Sequence, residues 1–339
     1  MDGSGRRSAG DHQLTTSPKR FETRSESSSQ RCADPPSFPD EVRALLVRCD
    51  FPPTGHEITC AVSGGPDSLA LLVLAVAAGC TVTAIHVDHG LRPHSAQEAK
   101  AVGSIARRFG AAFRSVRVEV PPGPNLEARA RAARLSVLPV DVATGHTMDD
   151  QAETVLVNLL RGAGARGLAG MRPGRRHPIL RLRRSETQLV CEAVGLQPLK
   201  DPMNDDPRYV RNRVRRDLLP LCAAIAGRDV VPLLARQADV LREEADFLDD
   251  LAGQALPQPS DARSLAAAPL VLARRAVRGW LAETAEGHGY PPSFAEVCAV
   301  LDVAAGRRRA TELSGGRRVR RSAGRLAVSV VRGGHRIPR

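Results

Sequence analysis

Apolar and polar positions along the chain form short blocks that predict strands alternating with helices. Four short runs rich in apolar and β-branched residues predict strands, and each precedes a longer stretch with helical spacing. The predicted strands are 58–62, 81–87, 112–118 and 140–145, and the predicted helices are 69–78, 95–109, 126–138 and 148–160. Repeated strand–helix units of this length predict an α/β fold with a doubly wound parallel sheet, in which ligands bind beyond the carboxyl ends of the strands.

After Pro220 the pattern becomes helical, which predicts a second and smaller domain. One amphipathic helix is predicted over 230–251, further helices over 265–285 and 293–305, and a small hairpin over 311–330. Residues 1–38 are rich in Ser, Arg, Gly and Pro without an apolar period, so we expect a disordered leader. The expected organisation is this leader, an α/β domain over 39–220, a linking helix over 221–252 and a mainly helical, basic domain over 253–339.

The composition is that of a globular protein, with 42% hydrophobic and 25% charged residues among 339. The longest apolar stretch, 69–78, is too short to cross a bilayer, and the N-terminus lacks the apolar segment of a secretory signal. The seven cysteines are scattered without a C-x-x-C pair, which disfavours zinc-ribbon and iron–sulfur sites. We therefore expect reduced thiols in a cytoplasmic protein without membrane attachment.

Positive charge is the strongest bias in the composition. Lysine and arginine total 49 against 37 aspartates and glutamates, and this excess of 12 favours a polyanionic partner such as nucleic acid. Aromatic residues make up only 3%, which disfavours a surface built on rows of stacked bases. The arginines predicted to contact phosphate groups lie in one helix and two dense clusters, and they include Arg131, Arg134, Arg175, Arg176, Arg208, Arg211, Arg213 and Arg215.

The segment 63–68 gives the sharpest chemical signal, because it links a predicted buried strand to a predicted buried helix. Its residues are Ser63, Gly64, Gly65, Pro66, Asp67 and Ser68. Two glycines allow a tight turn whose amide groups approach a ligand, the serines add hydroxyl donors, and the helix directs its positive end at the turn. Neither G-x-x-x-x-G-K-[ST] nor G-x-G-x-x-G occurs there, so the turn predicts a pyrophosphate cradle without a lysine.

The turn resembles the PP-loop of the ATP pyrophosphatases, which split ATP into AMP and pyrophosphate while adenylating a substrate. Six further blocks resemble the tRNA(Ile)-lysidine synthase family in the same order and extend the resemblance over about 59–220. They are HVDHGLR at 86–92, NLE at 125–127 with Ala130, Arg131 and Arg134, GHTMDDQAET at 145–154, LLRGAG at 159–164 with GLAGM at 167–171, DP at 201–202 with Asn204, and RNRVR at 211–215. The H-x-x-D-D-x-x-E-T block followed by L-R-G-x-G is the most discriminating.

This resemblance implies a ligase reaction on RNA. ATP would adenylate the C2 carbonyl oxygen of the wobble cytidine of tRNA(Ile) with a CAU anticodon, and the ε-amino group of L-lysine would then displace AMP to give lysidine. The implied substrates are ATP, L-lysine and tRNA(Ile), with Mg²⁺ as cofactor. A monomer and a homodimer are both compatible with the sequence.

Clustered carboxylates fit that chemistry. Asp149 and Glu153 are four residues apart on one predicted helix and Asp150 and Glu153 three apart, so they share a face. Such carboxylates can hold an ammonium group, accept a proton from an amine, or, together with Asp67, coordinate Mg²⁺. The alternative is helix capping, since Thr147 followed by Asp150 resembles a capping box. With Asp67 of the turn, these residues are the candidate catalytic carboxylates.

Two histidines are further candidates. The resemblance implies that His86 lies beside the nucleotide and that His146 contacts the reacting phosphate, although His146 also fits a hydrogen-bonded helix-start residue. A zinc site at His86 and His89 is disfavoured, because no further ligands are spaced for it. The family often has R-P-L-L where this chain has His177 followed by Pro-Ile-Leu, so a cation there would depend on Arg176 or on protonated His177.

Two other functions would also fit a PP-loop fold with a basic surface. A PP-loop tRNA thiolase needs paired cysteines for sulfur transfer or for a cluster, and none are suitably spaced. A tRNA-binding homologue without catalysis is disfavoured by the intact Ser63, Asp67, Ser68 and the three acidic residues of the later block.

Overall fold

The computed structural model describes residues 37–88, 95–119, 126–199, 206, 208–284 and 292–330. Contacts divide the chain into Met1–Pro35 and Pro36–Arg339, and every described residue belongs to the second unit. The predicted leader lies outside the described residues except for its last two positions. Parts of the matched blocks at 89–92, 125 and 201–204, and the side chain of Arg131, also lie outside them.

The first half of this unit is built on a parallel sheet. Its strands are β1 (Glu57–Ala61), β2 (Thr81–Asp88) and β3 (Ala112–Arg117), in the order β1-β2-β3 with Cys60 opposite Ala84. A short helix α1 (Asp40–Leu45) precedes the sheet, α2 (Pro66–Ala77) and α3 (Ser95–Arg108) connect its strands, and α4 (Leu126–Val137) follows β3. These alternating units confirm the predicted α/β fold.

The strand predicted over 140–145 is wrong, because the structure forms a single bridge there. Ala143 pairs with Cys60 in parallel, donating to the Thr59 carbonyl at 2.8 Å and accepting from the Ala61 amide at 2.9 Å. A turn precedes it, in which the Val142 amide donates to the Pro139 carbonyl. Because this parallel bridge lies on the side of β1 away from β2, the order in which segments are added to the sheet reverses at β1, which places the switch point at its carboxyl end.

Helix α2 is the centre of the main core. Its residues 68–75 are all buried, in agreement with the unbroken apolar pattern that predicts it. Pro66 begins the helix at a position where no N–H donor is needed, and the chain leaves it at Gly79, whose φ of +79° favours glycine. Four leucines of α2 are fully buried, and each contributes about 2 kcal/mol through burial.

The second half is mainly helical. Its helices are α5 (Met148–Leu160), α6 (Ala165–Leu168), α7 (Arg184–Ala193), α8 (Val210–Arg213), α9 (Leu219–Ala226), α10 (Val231–Ala255), α11 (Ala262–Ala267), α12 (Leu270–Glu283) and α13 (Phe294–Ala304). A wide π turn over Val214–Leu218 joins α8 to α9. The long helix α10 packs against α5 and α6 on one side and against α12 on the other.

Two predicted elements of this half need correction. The helix expected over 265–285 is divided into α11 and α12, because Pro269 cannot donate the hydrogen bond that would continue it. The expected hairpin is a three-stranded antiparallel sheet of β4 (Ala310–Leu313), β5 (Arg317–Ser322) and β6 (Arg325–Val330). Leu281, Val300 and Val319 are among the side chains of the core formed by these helices and strands.

Among the described residues, no single helix is both long and apolar enough to span a membrane, although Val210–Ala226 and Val231–Ala255, bent by 96°, meet that requirement as a pair. The six described cysteines are free, as expected, and Cys32 lies outside the described residues.

Candidate active site

The glycine turn lies at the carboxyl end of β1, where the topology predicts a ligand. The Ser68 hydroxyl is central to it, since it accepts from the Ser63 and Gly64 amides at 3.2 Å each and donates to the Gly65 carbonyl at 2.9 Å. Ser68 is buried, so this network fixes the turn before any ligand binds. The first amides of α2 have no acceptor within the helix and remain available to an anion.

Two glycines allow close packing around this turn. Gly64 has φ +92°, and a side chain there would approach Leu199 at 2.6 Å. A Cβ atom at Gly145 would lie 2.6 Å from the Asp67 carbonyl oxygen. The segment that leads into α5 therefore rests directly on the start of α2, which brings the two predicted functional blocks together.

The start of α5 uses one carboxylate for two purposes. Oδ2 of Asp150 accepts from the amide and the hydroxyl of buried Thr147, each at 2.9 Å, so the capping interpretation is confirmed for this pair. Oδ1 of the same residue accepts from Nη2 of Arg184 at 2.9 Å. Capping leaves one oxygen of Asp150 turned towards the neighbouring charged groups.

Glu153 is fully buried and is surrounded by guanidinium groups. Its Oε1 accepts from Nε of Arg215 at 2.6 Å and from Nη1 of Arg184 at 3.2 Å. Its Oε2 accepts from Nε of Arg211 at 3.0 Å and from Nη2 of Arg215 at 3.1 Å. Both oxygens are thus bound twice, which compensates the burial of the charge.

Arg184 joins the turn to α5. Besides Asp150 and Glu153, its guanidinium contacts Asp67 through Nε at 3.5 Å from Oδ2. The charges of these carboxylates outweigh the effect of burial and raise the pKa of Arg184, so it stays protonated. The sequence places Arg184 only within a basic cluster, and no local signal indicates that it begins α7 in contact with three acids.

The two central carboxyl groups have opposite pKa shifts. Burial raises the pKa of Asp67, with a further rise from the negative charge of Asp150, and hydrogen bonding by Thr187 and the charge of Arg184 only partly offset this. Burial acts in the same direction on Asp150, but the charges of Arg184 and His146 outweigh it and lower the pKa of that carboxyl. Asp67 is thus the easier of the two to protonate.

Asp149 faces a different set of partners. Its oxygens accept from Nε and Nη2 of Arg183 at 3.1 and 3.2 Å and from the amide of Arg184 at 2.8 Å. It therefore fixes the start of α7. The structure gives it no contact with Asp67, the other predicted metal ligand of the turn.

The donor set fits Mg²⁺ only in part. Asp67 and Asp150 lie close enough for one charge to raise the other's pKa, and Mg²⁺ in nucleotide sites uses one or two carboxylates together with phosphate oxygens. Within the described ranges, no three His, Cys, Asp or Glu side chains are grouped in a way that could hold a metal ion. Coordination of Mg²⁺ by Asp67, Asp149 and Asp150 stays a prediction, and the structure gives Asp149 other partners.

The two predicted histidines occupy different positions. His86 is buried beneath the turn, and its Nδ1 donates to the Val62 carbonyl at 2.8 Å, so it supports the backbone that leads into the turn. His146 follows Gly145 beside the start of α2, and its Nδ1 lies 2.7 Å from the Thr144 hydroxyl. The contact of either histidine with nucleotide stays a prediction.

The arginines predicted to contact phosphate groups do not form one surface. Arg211 and Arg215 bind Glu153 inside the site, and their predicted contact with RNA stays a prediction. Arg134 is half-buried. The exposed members are Arg175, which donates to the Glu57 carbonyl, Arg176, Arg208, which pairs with Asp206, and Arg213, which lies 4.0 Å from Asp217.

A cavity of about 210 Å³ lies beside the charged cluster. Five charged side chains line it: Asp149, Glu153, Arg184, Arg215 and Asp229. Its other lining residues are apolar: Leu219, Pro220, Ala223, Val230 and Val231. The cavity thus combines charges of both signs with an aliphatic wall.

Comparison with known proteins agrees with this geometry. A family model described as a PP-loop domain matches residues 39–222, and a second, described as the TilS substrate binding domain, matches residues 261–327. Among solved structures, the U34-tRNA thiolase NcsA from Methanococcus maripaludis with its 4Fe-4S cluster is similar with a TM-score of 0.46 and 19% identity, covering 60% of this chain and 79% of that one. That similarity is too low to bear on the reaction.

Curated relatives are much more similar. The chain is 45% identical over 238 residues to the tRNA(Ile)-lysidine synthase of Mycobacterium leprae (strain TN), covering 65% of this chain and 73% of that protein. It is 42% identical over 257 residues to the tRNA(Ile)-lysidine synthase of Nocardia farcinica (strain IFM 10152), covering 72% and 80%. With the PP-loop model matching more than half of its length, the chain belongs to the tRNA(Ile)-lysidine synthase family, as its sequence motifs predict.

Proposed function

We propose that this chain ligates L-lysine to C2 of the wobble cytidine of tRNA(Ile) with a CAU anticodon, consuming ATP and releasing AMP and pyrophosphate. Its family membership supports the reaction. The single observation that carries the proposal is the position of Arg184, which contacts Asp67 of the turn and both Asp150 and Glu153 of α5. An anion-binding turn and an acidic cluster thus share one site.

ATP is placed with its phosphates at the turn. The first amides of α2 and the positive end of that helix favour the β- and γ-phosphates, which leave as pyrophosphate. Mg²⁺ held by Asp67 and Asp150 would neutralise developing negative charge on these phosphates. The Ser68 network keeps the turn in shape, so little reorganisation accompanies binding.

Lysine is placed in the 210 Å³ cavity. Its aliphatic chain would pack on Val231 and Ala223, its ammonium groups would face Asp149 and Asp229, and its carboxylate would face the arginines. Glu153 fixes those arginines rather than accepting a proton, because both of its oxygens already accept two N–H groups. Its role is therefore electrostatic.

The attacking amine must lose a proton before it reacts. Among the carboxylates of the cluster, burial raises the pKa of Asp67, so this carboxyl would accept the proton in a state in which it does not hold Mg²⁺. His146 is the second candidate, because it lies next to the start of α2 and its unperturbed pKa is near neutrality. The pH dependence of turnover in variants of Asp67 and of His146 distinguishes the two candidates.

The tRNA is placed on the basic face shared by α10 and α12. A groove of about 570 Å³ between these helices and α6 is lined by Arg274, Arg278 and Trp280, with Gly253 and Gly279 opening space for a flat group. Nε of Arg274 is buried without a hydrogen-bond partner among the described residues. Arginines beside an aromatic ring suit a phosphate and its base.

Incubation of the full chain with ATP, radiolabelled lysine and a tRNA(Ile) transcript bearing CAU tests the reaction. Label entering the RNA, with one pyrophosphate formed per lysine, is the expected result. Turnover that requires a sulfur source would establish the thiolase instead, and tight RNA binding without turnover would establish an inactive homologue. Since tRNA and ATP are both cytoplasmic substrates, we infer a cytoplasmic location.

A further inference from the structure

Three polar atoms meet beside the glycine turn. Nδ1 of His146 lies 2.7 Å from the Thr144 hydroxyl oxygen, and Nδ1 of His177 lies 2.8 Å from the same oxygen. The two Nδ1 atoms are 3.2 Å apart, and the rings meet edge to face with their centroids separated by 5.0 Å. These atoms form one hydrogen-bonded triangle, which we call the histidine triangle.

The backbone holds His177 in this triangle independently of the other histidine. Its amide donates to the Gly174 carbonyl at 2.8 Å, and buried Pro178 follows it. The Arg176 carbonyl accepts from the amide of Thr144 at 2.9 Å, and its oxygen lies 3.1 Å from the threonine hydroxyl oxygen. A rigid turn therefore presents the His177 ring to the threonine.

The number of hydrogens limits the protonation states of the triangle. A hydroxyl group has one hydrogen, so Thr144 can donate to one Nδ1 atom at most. At least one imidazole must then carry a proton on Nδ1 and donate it to the hydroxyl oxygen. When His177 is that donor, the single hydroxyl hydrogen has two remaining acceptors, the Arg176 carbonyl at 3.1 Å and Nδ1 of His146 at 2.7 Å. Donation to the nearer His146 places the proton of that ring on Nε2.

We propose that His177 is a positioning residue, which determines through Thr144 the nitrogen on which His146 holds its proton. With the proton on Nε2, His146 is a hydrogen-bond donor to a phosphate oxygen; with it on Nδ1, the ring presents a lone pair and repels that oxygen. This inference rests on the proposed contact of His146 with the reacting phosphate. It gives His177 a task that its position in the sequence does not indicate.

The charges around the triangle are compatible with a His146 that donates from Nε2. Asp150 of α5 faces it, and the positive charge of His146 is among the causes that lower the pKa of Asp150. Arg184 of α7 lies on the other side of that carboxylate, at 2.9 Å. Two positively charged rings with centroids 5.0 Å apart would repel each other, so the geometry disfavours a state in which both rings carry charge.

The first test measures the tautomer directly, without an assay of activity. The full chain is labelled with ¹⁵N-histidine, and the signals of His146 are assigned with His146→Gln. We expect the wild type to hold the proton on Nε2. His177→Phe keeps a ring but removes both nitrogens and should give a mixture of tautomers, whereas His177→Asn keeps an N–H near the Nδ1 position and should retain the wild-type signals. Unchanged His146 signals in His177→Phe would overturn the inference.

The second test measures pyrophosphate release with ATP, lysine and tRNA. His177→Phe should lower kcat by about tenfold with a smaller change in the KM for ATP, and His177→Asn should restore kcat. In a His146→Gln background, His177→Phe should have no further effect. An equal loss with and without His146 contradicts the inference, whereas normal turnover of His146→Gln alone contradicts only the proposed role of His146. Thermal unfolding shows that each variant folds.

Discussion

Nε of Arg215 donates to Oε1 of Glu153 at 2.6 Å and ties the π turn after α8 to α5. The arginine side chain is 30% exposed, whereas the glutamate is fully buried. A basic residue that neutralises a buried carboxylate cannot be removed without leaving that charge uncompensated. The arginines of this region therefore fall into two groups: those that neutralise buried carboxylates of the site, and exposed ones that we expect to contact RNA.

Replacing Glu153 tests this division from the acidic side. We expect Glu153→Gln to destabilise the chain by about 3 kcal/mol, because three guanidinium groups lose the carboxylate that neutralises them. Urea unfolding followed by circular dichroism measures the change. The variant should also lose lysine ligation at temperatures where it is still folded, since Arg184 and Arg215 would no longer be held in place.

A matched control is the pair Arg213–Asp217, which is 4.0 Å apart with both side chains about 70% exposed. Asp217→Asn should change the free energy of unfolding by less than about 0.5 kcal/mol. If both variants destabilise the chain equally, burial does not set the importance of Glu153.

Arginines two positions apart should differ in their effect on RNA binding. Arg213→Ala should weaken tRNA binding several-fold, reduce the salt dependence by about one phosphate contact and leave stability unchanged, because the side chain is exposed. Arg215→Ala should instead lower stability and turnover. Filter binding over a range of salt concentrations, together with unfolding, separates the two effects. Equal loss of affinity without loss of stability in both variants would make Arg215 an RNA contact after all.

Asp67 should behave as a functional residue that the fold does not need in charged form. Its pKa is raised by burial, so folding favours the protonated carboxyl, and this stability is lost as the pH rises from the ordinary carboxyl range through the raised pKa and stays lost above it. Asp67→Asn should therefore keep or slightly raise Tm at pH 8, while pyrophosphate formation is abolished and tRNA binding persists. Pyrophosphate release and calorimetry check the two parts. A large fall in Tm would mean that Asp67 is structural.

Local patterns predict the part of the site that is local in sequence. The turn at 63–68 and the helix after it depend on two glycines and Pro66, which lie next to each other in the sequence. The start of α5 depends in the same local way on Thr147. The strand over 140–145 fails because Pro139 and a turn take up its length and leave Val140 87% exposed. The single bridge at Ala143 still brings the segment 145–154 to the edge of the sheet.

The sequence does not show which side chains contact each other across the fold. Glu153 meets Arg211 and Arg215 over separations of 58 and 62 residues, and Arg184 meets Asp67 over 117. The density of arginines in the sequence predicts phosphate contacts for all of them. Their spacing does not distinguish a guanidinium group that binds a buried carboxylate from one that is exposed to solvent. Helix α7 is not predicted for a related reason. Most of its residues are polar, so the buried Val190 and Cys191, through which it packs on α2, do not form a recognisable apolar pattern.

The groove between α10 and α12 gives a prediction for tRNA binding away from the catalytic cluster. Arg278→Ala and Trp280→Ala should each weaken tRNA binding, and only Arg278→Ala should reduce its salt dependence, by about one contact. Arg263→Ala on α11 is the matched control, since Arg263 is exposed outside the groove and should have little effect. Equal losses in all three variants would indicate a general charge effect on the domain rather than binding in the groove.

The cavity proposed for lysine predicts a change in KM that leaves the other substrates unaffected. Ala223 lines this cavity on α9, so Ala223→Leu should fill part of its 210 Å³ and raise the KM for lysine about tenfold or more. Ala224 is exposed on the same helix, and Ala224→Leu adds the same group outside the cavity, where it should leave all three KM values unchanged. Initial rates with lysine, ATP and tRNA varied in turn distinguish the two variants. Because the added side chain carries no charge, a selective effect on lysine can only come from the space it occupies; an unaltered KM for lysine in Ala223→Leu would place the amino acid elsewhere in the site.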